Sequence, residues 1–301
     1  MNEESPPPLS ESGSQAISSE DNRRELLAAL DSPNPLVRQE GLEVCQSVID
    51  EDIHAIEPYL DEIVEHAADD DITVALRTLE LLDTVVNENP DMLEGELSPL
   101  VEALNTEHTN IQSRGGRLLA RLVVDRPSFL TPHVRGIVEA LEATELDSKP
   151  RQFDELTGDP VTRQTLQEHE ETERKRRISS RRTLINVVVA ITETAPGSVS
   201  GTVDGLAELL DDTDPAIVGG AVDALGEIAA RDPSAVVPVR GRLVDCLDHG
   251  RTVVRARAVR ALGRLGDDSA VPKLRSVVES DDDEDVRELA AETADFLSSG
   301  S

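Results

Sequence analysis

Residues 214–229 read DPAIVGGAVDALGEIA. Apolar or small residues fall at Ala221, Val222, Ala224, Leu225 and Ile228, at offsets of 0, +1, +3, +4 and +7. That spacing places them on one face of an amphipathic helix and excludes a half-buried strand, whose apolar residues would alternate. The cluster Asp212-Thr213-Asp214-Pro215 ahead of it supplies the residue types that stop one helix and cap the next.

The frame recurs along the chain. It reads Gly41, Leu42, Val44, Cys45, Val48; Ala75, Leu76, Thr78, Leu79, Leu82; and Gly115, Gly116, Leu118, Leu119, Leu122. It reads again at Ala258, Val259, Ala261, Leu262, Leu265 and at Ala290, Ala291, Thr293, Ala294, Leu297, with a weaker copy at Thr183, Leu184, Asn186, Val187, Ala190. The anchors at 41, 75, 115, 183, 221, 258 and 290 are separated by 34, 40, 68, 38, 37 and 32 residues. Apart from the doubled interval, this is the range of two-helix repeats. A helix pair cannot bury its apolar stripe alone, so such pairs stack into one continuous core. A small anchor residue lets the second helix of each pair approach its neighbour closely.

Val37, Ile111, Ile217, Val254 and Val286 stand four residues before their anchors, and Arg38, Arg255 and Arg287 follow three of them. With the strings DPAIVGGAVDALGEIA, RTVVRARAVRALGRLG and EDVRELAAETADFL, the chain resembles HEAT repeats of the PBS-lyase HEAT-like variety. The resemblance implies an all-α chain: an α-solenoid of about seven HEAT-like helix pairs whose second helices line a concave face that binds partners. It also implies that Arg38, Arg255 and Arg287 tie adjacent repeats to loop aspartates. The lyase name carries no chemistry to this chain. Residues 1–20, with Pro6-Pro7-Pro8 and several serines, are expected to be a disordered tail, and the solenoid to span 21–301.

Composition sets the environment. Asp and Glu number 61 against 29 Lys and Arg, for a net charge of −32 over 301 residues, and only Lys149, Lys175 and Lys273 are lysines. This bias resembles that of haloarchaeal proteins, where concentrated salt screens self-repulsion. No apolar run is long enough for a membrane helix, and the opening MNEESPPPLS is no leader peptide. Cys45 and Cys246 lack metal-ligand spacing, which fits a reducing cytoplasm.

The doubled interval marks an expanded fourth repeat with a charged insertion at about 145–177. Its first helix is expected at 132–144, followed by a polar loop. A long or jointed helix then starts at Asp159-Pro160 and ends in the apolar segment 185–191. Two basic zones interrupt the acidic chain. One, at 174–182, holds Arg174, Lys175, Arg176, Arg177, Arg181 and Arg182; the other is the sixth repeat, at 240–264, with Arg251, Arg255, Arg257, Arg260 and Arg264. These are the candidate partner-binding residues. The plainer alternative is that neighbouring acids neutralise them.

No constellation for catalysis is present. The six histidines include no zinc-type pair, no phosphate loop or nucleophile elbow occurs, and no cofactor is expected. The run 281–285 reads as a solvated helix cap and not an EF-hand loop. The expected function is a non-catalytic protein-interaction scaffold or adaptor, for a partner with an acidic contact surface. Two alternatives stay open: an enzyme accessory or lyase-like subunit, and an anion or nucleic-acid binder. The last is disfavoured because such affinity falls steeply with salt and no aromatics interleave the basic residues.

Overall fold

A computed structural model describes residues 17, 19–144 and 160–299, and among these the chain is helical without a strand. Pair one is α1 (Glu20–Leu30) and α2 (Pro35–Glu51). In pair two a 3-10 turn at Ile53–Tyr59 runs into α3 (Leu60–Glu65), followed by α4 (Ile72–Glu88). Pair three sets α5 (Ser98–Glu102) before α6 (Thr109–Asp125). Pair four has α7 (Pro127–Leu130), α8 (Val134–Ala143) and α9 (Pro160–Thr194). Pair five has α10 (Val203–Glu208) and α11 (Pro215–Arg231). Pair six has α12 (Pro233–Val236), α13 (Arg240–Asp245) and α14 (Thr252–Leu265). Pair seven has α15 (Val271–Ser280) and α16 (Glu284–Ser299).

The two members of a pair differ for a covalent reason. The first members contain Pro58, Pro132 and Pro238, and 3-10 turns occur there. Proline lacks the amide that the α-helical ladder needs, so the chain tightens locally. The second members are continuous, and α2, α9 and α11 carry proline only at the start. Their caps were legible: Asn34 accepts from the Leu36 amide, Asp71 from Thr73 and Val74, and Asp214 from Ala216.

The chain divides into two compact units, Met1–Leu122 and Val123–Ser301. In the first, α2 packs on α4; in the second, α9, α11, α14 and α16 pack in sequence. The buried positions repeat the frame. In α2 they are Gly41, Leu42, Val44, Cys45, Val48 and Ile49. In the fourth pair they are Leu184, Ile185, Val187, Val188, Ile191 and Thr192. The weak copy is therefore anchored at Leu184, and the Thr183 frame is one residue out of register. Each residue that leaves water this way contributes roughly 25 cal/mol per Å² of apolar area. Small residues set the approach: a Cβ on Gly220 would lie 2.4 Å from Ile185 Cγ1, and one on Gly115 would lie 3.0 Å from Leu104 Cδ2.

Within the segment 1–20 expected to be a tail, Ile17 is buried with its carbonyl accepting from Arg23 Nε at 3.0 Å, and Ser19 caps α1. The rest of that tail lies outside the described residues. So does 145–159 of the insertion, whereas 160–177 is the first half of α9, a single helix of 35 residues without a joint. Both cysteines are buried, which pushes the Cys45 thiol up to about 12 and Cys246 to about 11.

Candidate functional site

Each second helix starts with a polar loop and then turns into the core, so a side chain three positions before the anchor points back at the end of the first helix. Arg38 Nη1 donates to the Ser32 carbonyl at 2.7 Å, Arg255 Nη1 to His249 at 3.0 Å and Arg287 Nη1 to Asp281 at 2.7 Å. With the fourth anchor at Leu184, Arg181 occupies this position, and its Nη2 donates to the Leu141 carbonyl at 2.9 Å. Gln112 does the same in pair three, donating to Thr106.

Three of these arginines also reach forward to the next pair, whereas Arg287, in the last pair, bonds the loop of its own repeat. Arg38 meets Asp69 at 2.8 Å, Arg181 meets Asp212 at 2.5 Å and Arg255 meets Asp281 at 2.7 Å. Both halves of this tie are missing together elsewhere. Pair five has Val218 at the arginine position, and the loop of pair six has His249 at the aspartate position. In pair two the buried set Thr78, Leu79, Leu81, Leu82 and Val85 puts the anchor at Thr78 instead of Ala75, so Ala75 stands at the arginine position, and the loop of pair three has Thr106. A buried charge without its partner is costly, so an unmatched half would be unfavourable.

Arg181 and Arg255 therefore leave the list of partner-binding candidates. Arg181 is 1% exposed and Arg255 13%, and both are held inside the fold. The others lie nearer the surface, many in ion pairs. Lys175 lies 4.0 Å from Glu171 and Arg176 2.9 Å from Glu173 along α9, beside Arg174 and Arg177. Arg182 pairs with Asp214 at 2.8 Å. On α14, Arg257 pairs with Asp223 and Arg264 with Glu227 of α11, at 2.8 and 2.7 Å, and Arg260 is exposed. The first unit has matching rungs, Arg77 to Glu43 and Arg114 to Glu80. Acids of the preceding second helix thus pair with two of the five candidate arginines of the sixth repeat, Arg257 and Arg264. Periodicity located these helices; the cross-helix rungs, at sequence separations of 34 residues for Arg77 and Arg114, were readable in the sequence but were missed.

Exposed rungs contribute little each, but the part-buried ties respond to pH. Burial pushes the Asp69 carboxyl up, yet Arg38 and the Asp71 amide outweigh it and hold it below its ordinary value. At Asp214 burial is likewise outweighed, by Arg182 and the Ala216 amide. At Asp281 the Arg255 hydrogen bond is the largest influence and lowers it. These folded values lie below the unfolded ones. Their stabilisation is complete above the unfolded carboxylate pKa of about 4 and is lost as pH falls through the lower folded values. The urea midpoint is expected to fall on acidification below about pH 4, and by less in an Asp281→Asn variant. A midpoint that stays flat there contradicts this.

Salt acts in the opposite sense on the whole chain. With 61 acids against 29 Lys and Arg, more than half the carboxylates have no basic partner to match them. Self-repulsion then exceeds what screening removes from the ion pairs. The melting midpoint is expected to rise from dilute buffer to molar KCl, and a falling midpoint would show that the ion pairs dominate.

Among the described residues no group of three or more His, Cys, Asp or Glu is arranged to hold a metal ion, and no helix is long and apolar enough to cross a membrane. The last two pairs, residues 241–299, match the family described as HEAT repeats. No curated protein matches the chain in sequence. Among solved structures it is similar to a designed armadillo repeat protein, YIII(Dq.V1)4CPAF in complex with peptide (KR)4. That similarity has 16% identity and a TM-score of 0.53, over 79% of this chain and 99% of that one. An archaeal HEAT-like repeats protein from Thermococcus onnurineus NA1 is 16% identical over 92% of this chain and 97% of that one, with a TM-score of 0.49. At such identity the likeness is one of fold: an α-solenoid of HEAT- and armadillo-like repeats.

Proposed function

We propose that this HEAT-like repeat protein is a non-catalytic scaffold or adaptor that holds a partner protein on the face formed by its second helices. The repeat fold is of a kind typical of protein-interaction scaffolds. The observation that carries the reading is the difference between the two helix sets. The second helices are continuous and present a repeating charged face, with rungs such as Arg257–Asp223 and Arg264–Glu227 that fix guanidiniums in place. Preset side chains lose less freedom on binding, which favours recognition. Arg182, Arg251, Arg257, Arg260 and Arg264, with Arg174, Lys175, Arg176 and Arg177 on α9, are the candidate contacts.

The test is affinity capture in molar KCl, comparing the wild type with an Arg257→Ser, Arg260→Ser, Arg264→Ser variant and with a control changed on α15. Loss of a specific partner in the first variant alone supports the reading. Equal capture by all three, or capture of nothing specific, overturns it.

A further inference from the structure

The loop that opens each second helix has a recurring geometry within this chain. Asp69 accepts from the Asp71 amide at 2.8 Å, Asp212 from Asp214 at 2.7 Å and Asp281 from Asp283 at 2.9 Å. The second aspartate of each loop then caps the helix, as Asp283 does by accepting from the Asp285 and Val286 amides. In pair six the turn is kept with different residues. His249 Nδ1 accepts from the Arg251 amide at 3.0 Å, and Arg251 stands where the capping aspartate should be. No side chain caps α14. A guanidinium cannot accept from the first amides, and a cation at a helix N-terminus opposes its dipole.

What distinguishes this place from a bare helix start is the groove around it. Arg251, Arg182 and Arg257 line one cleft of about 470 Å³ between α9, α11 and α14, together with Asn186, Asp214 and Val253. Two of the three guanidiniums are held by carboxylates, one from Asp214 on the wall and one from Asp223 behind it. Arg182 donates to both oxygens of Asp214, at 2.8 and 3.1 Å, and Arg257 meets Asp223 at 2.8 Å. The exposed Arg251 side chain has no hydrogen bond or ion pair among the described residues. Three guanidiniums line the groove and carboxylates pair with two of them, which leaves one positive charge unmatched in a chain of net charge −32.

We propose that this groove binds a glutamate or aspartate side chain from an acidic segment of a partner protein, with Arg251 as its anchor. The inference rests on the scaffold reading and names the partner chemistry for one place on that face. An excess of one positive charge suits a singly charged carboxylate better than a phosphate dianion. Arg251 offers a two-pronged donor, Asn186 an amide, and the uncapped amides of α14 further donors that the incoming carboxylate would satisfy as the absent aspartate would have. Val253, 55% exposed beside the arginine, provides an apolar contact for the stem of the incoming side chain.

The experiment is a fluorescence anisotropy titration of the full chain with a labelled Gly/Ser peptide carrying spaced glutamates, against the same peptide with glutamines. The glutamate peptide is expected to bind about tenfold more tightly. Arg251→Ala should remove that difference, and Arg275→Ala, on α15 and outside the groove, should keep it. Arg251→Asp should abolish the preference while raising the melting midpoint, because it restores the cap. Equal affinity for the two peptides, an Arg251→Ala variant that keeps the preference, or competition by inorganic phosphate but not by acetate would each overturn the proposal. If the glutamate peptide fails while partner capture still depends on the second-helix arginines, the carboxylate site falls and the scaffold reading stands.

Discussion

Replacing Arg181 with Ala is expected to destabilise the protein by about 3–5 kcal/mol, the range for breaking one side of a buried ion pair. Arg181 and Asp212 are 1% and 2% exposed, with Nη2 and Oδ2 2.5 Å apart. The same nitrogen donates to Leu141, across a sequence separation of 40 residues, and so fastens the first helix of pair four to its second helix. Removing the guanidinium leaves the Asp212 carboxylate buried without its cation, although the Asp214 amide still donates to it. The double variant Arg181→Met, Asp212→Leu removes both charges and is expected to recover most of the loss. The neighbouring Arg182 is 53% exposed and its buried partner Asp214 keeps the Ala216 amide, so Arg182→Ala should cost less than Arg181→Ala, about 1–2 kcal/mol. Urea denaturation reads all three. Equal costs at 181 and 182 would mean that Arg181 is a surface residue after all.

Gly220→Ala should also destabilise, by about 1–2 kcal/mol, even though alanine is the better helix former by about 1 kcal/mol. The new Cβ would lie 2.4 Å from Ile185 Cγ1 and 3.4 Å from both Cδ1 and Cγ2 of that residue. Ile185 is buried, so α9 and α11 must move apart or the side chain must leave its rotamer. Adding Ile185→Ala should make the Gly220→Ala change less harmful than it is alone, a coupling that only residues in contact show. A Cβ added at Gly241 in α13 would meet nothing within 4 Å, and there the same substitution should be neutral or stabilising. Equal melting shifts at 220 and 241 would contradict the close approach.

The fold was legible because its signal is periodic. Seven anchors and their apolar offsets place the second helices, and the Asp, Asn and Pro clusters place their starts. The fourth copy slipped by one residue because Thr183-Leu184 imitates a small-then-apolar start, whereas the buried set begins at Leu184. A constraint in the sequence could have fixed it: only the Leu184 anchor puts an arginine, Arg181, at the position that Arg38, Arg255 and Arg287 occupy. The site was less legible. Charge density along the chain picked out Arg181 and Arg251 alike, but burial depends on which face of the helix each occupies and on acids some 30 residues away. The chain places one beside Asp212 and leaves the other exposed in an arginine-lined groove.

The proposed function requires that a partner sit on the face of the second helices. Site-specific photo-cross-linking tests it most directly, with a photoreactive residue at Asn186, Ala216 or Val253 on that face, or at Ser234 or Ser276 on the first helices, in molar KCl. One partner is expected to be cross-linked from the first three positions and not from the last two. Cross-links to that partner from Ser234 and Ser276, with none from the second helices, would contradict it.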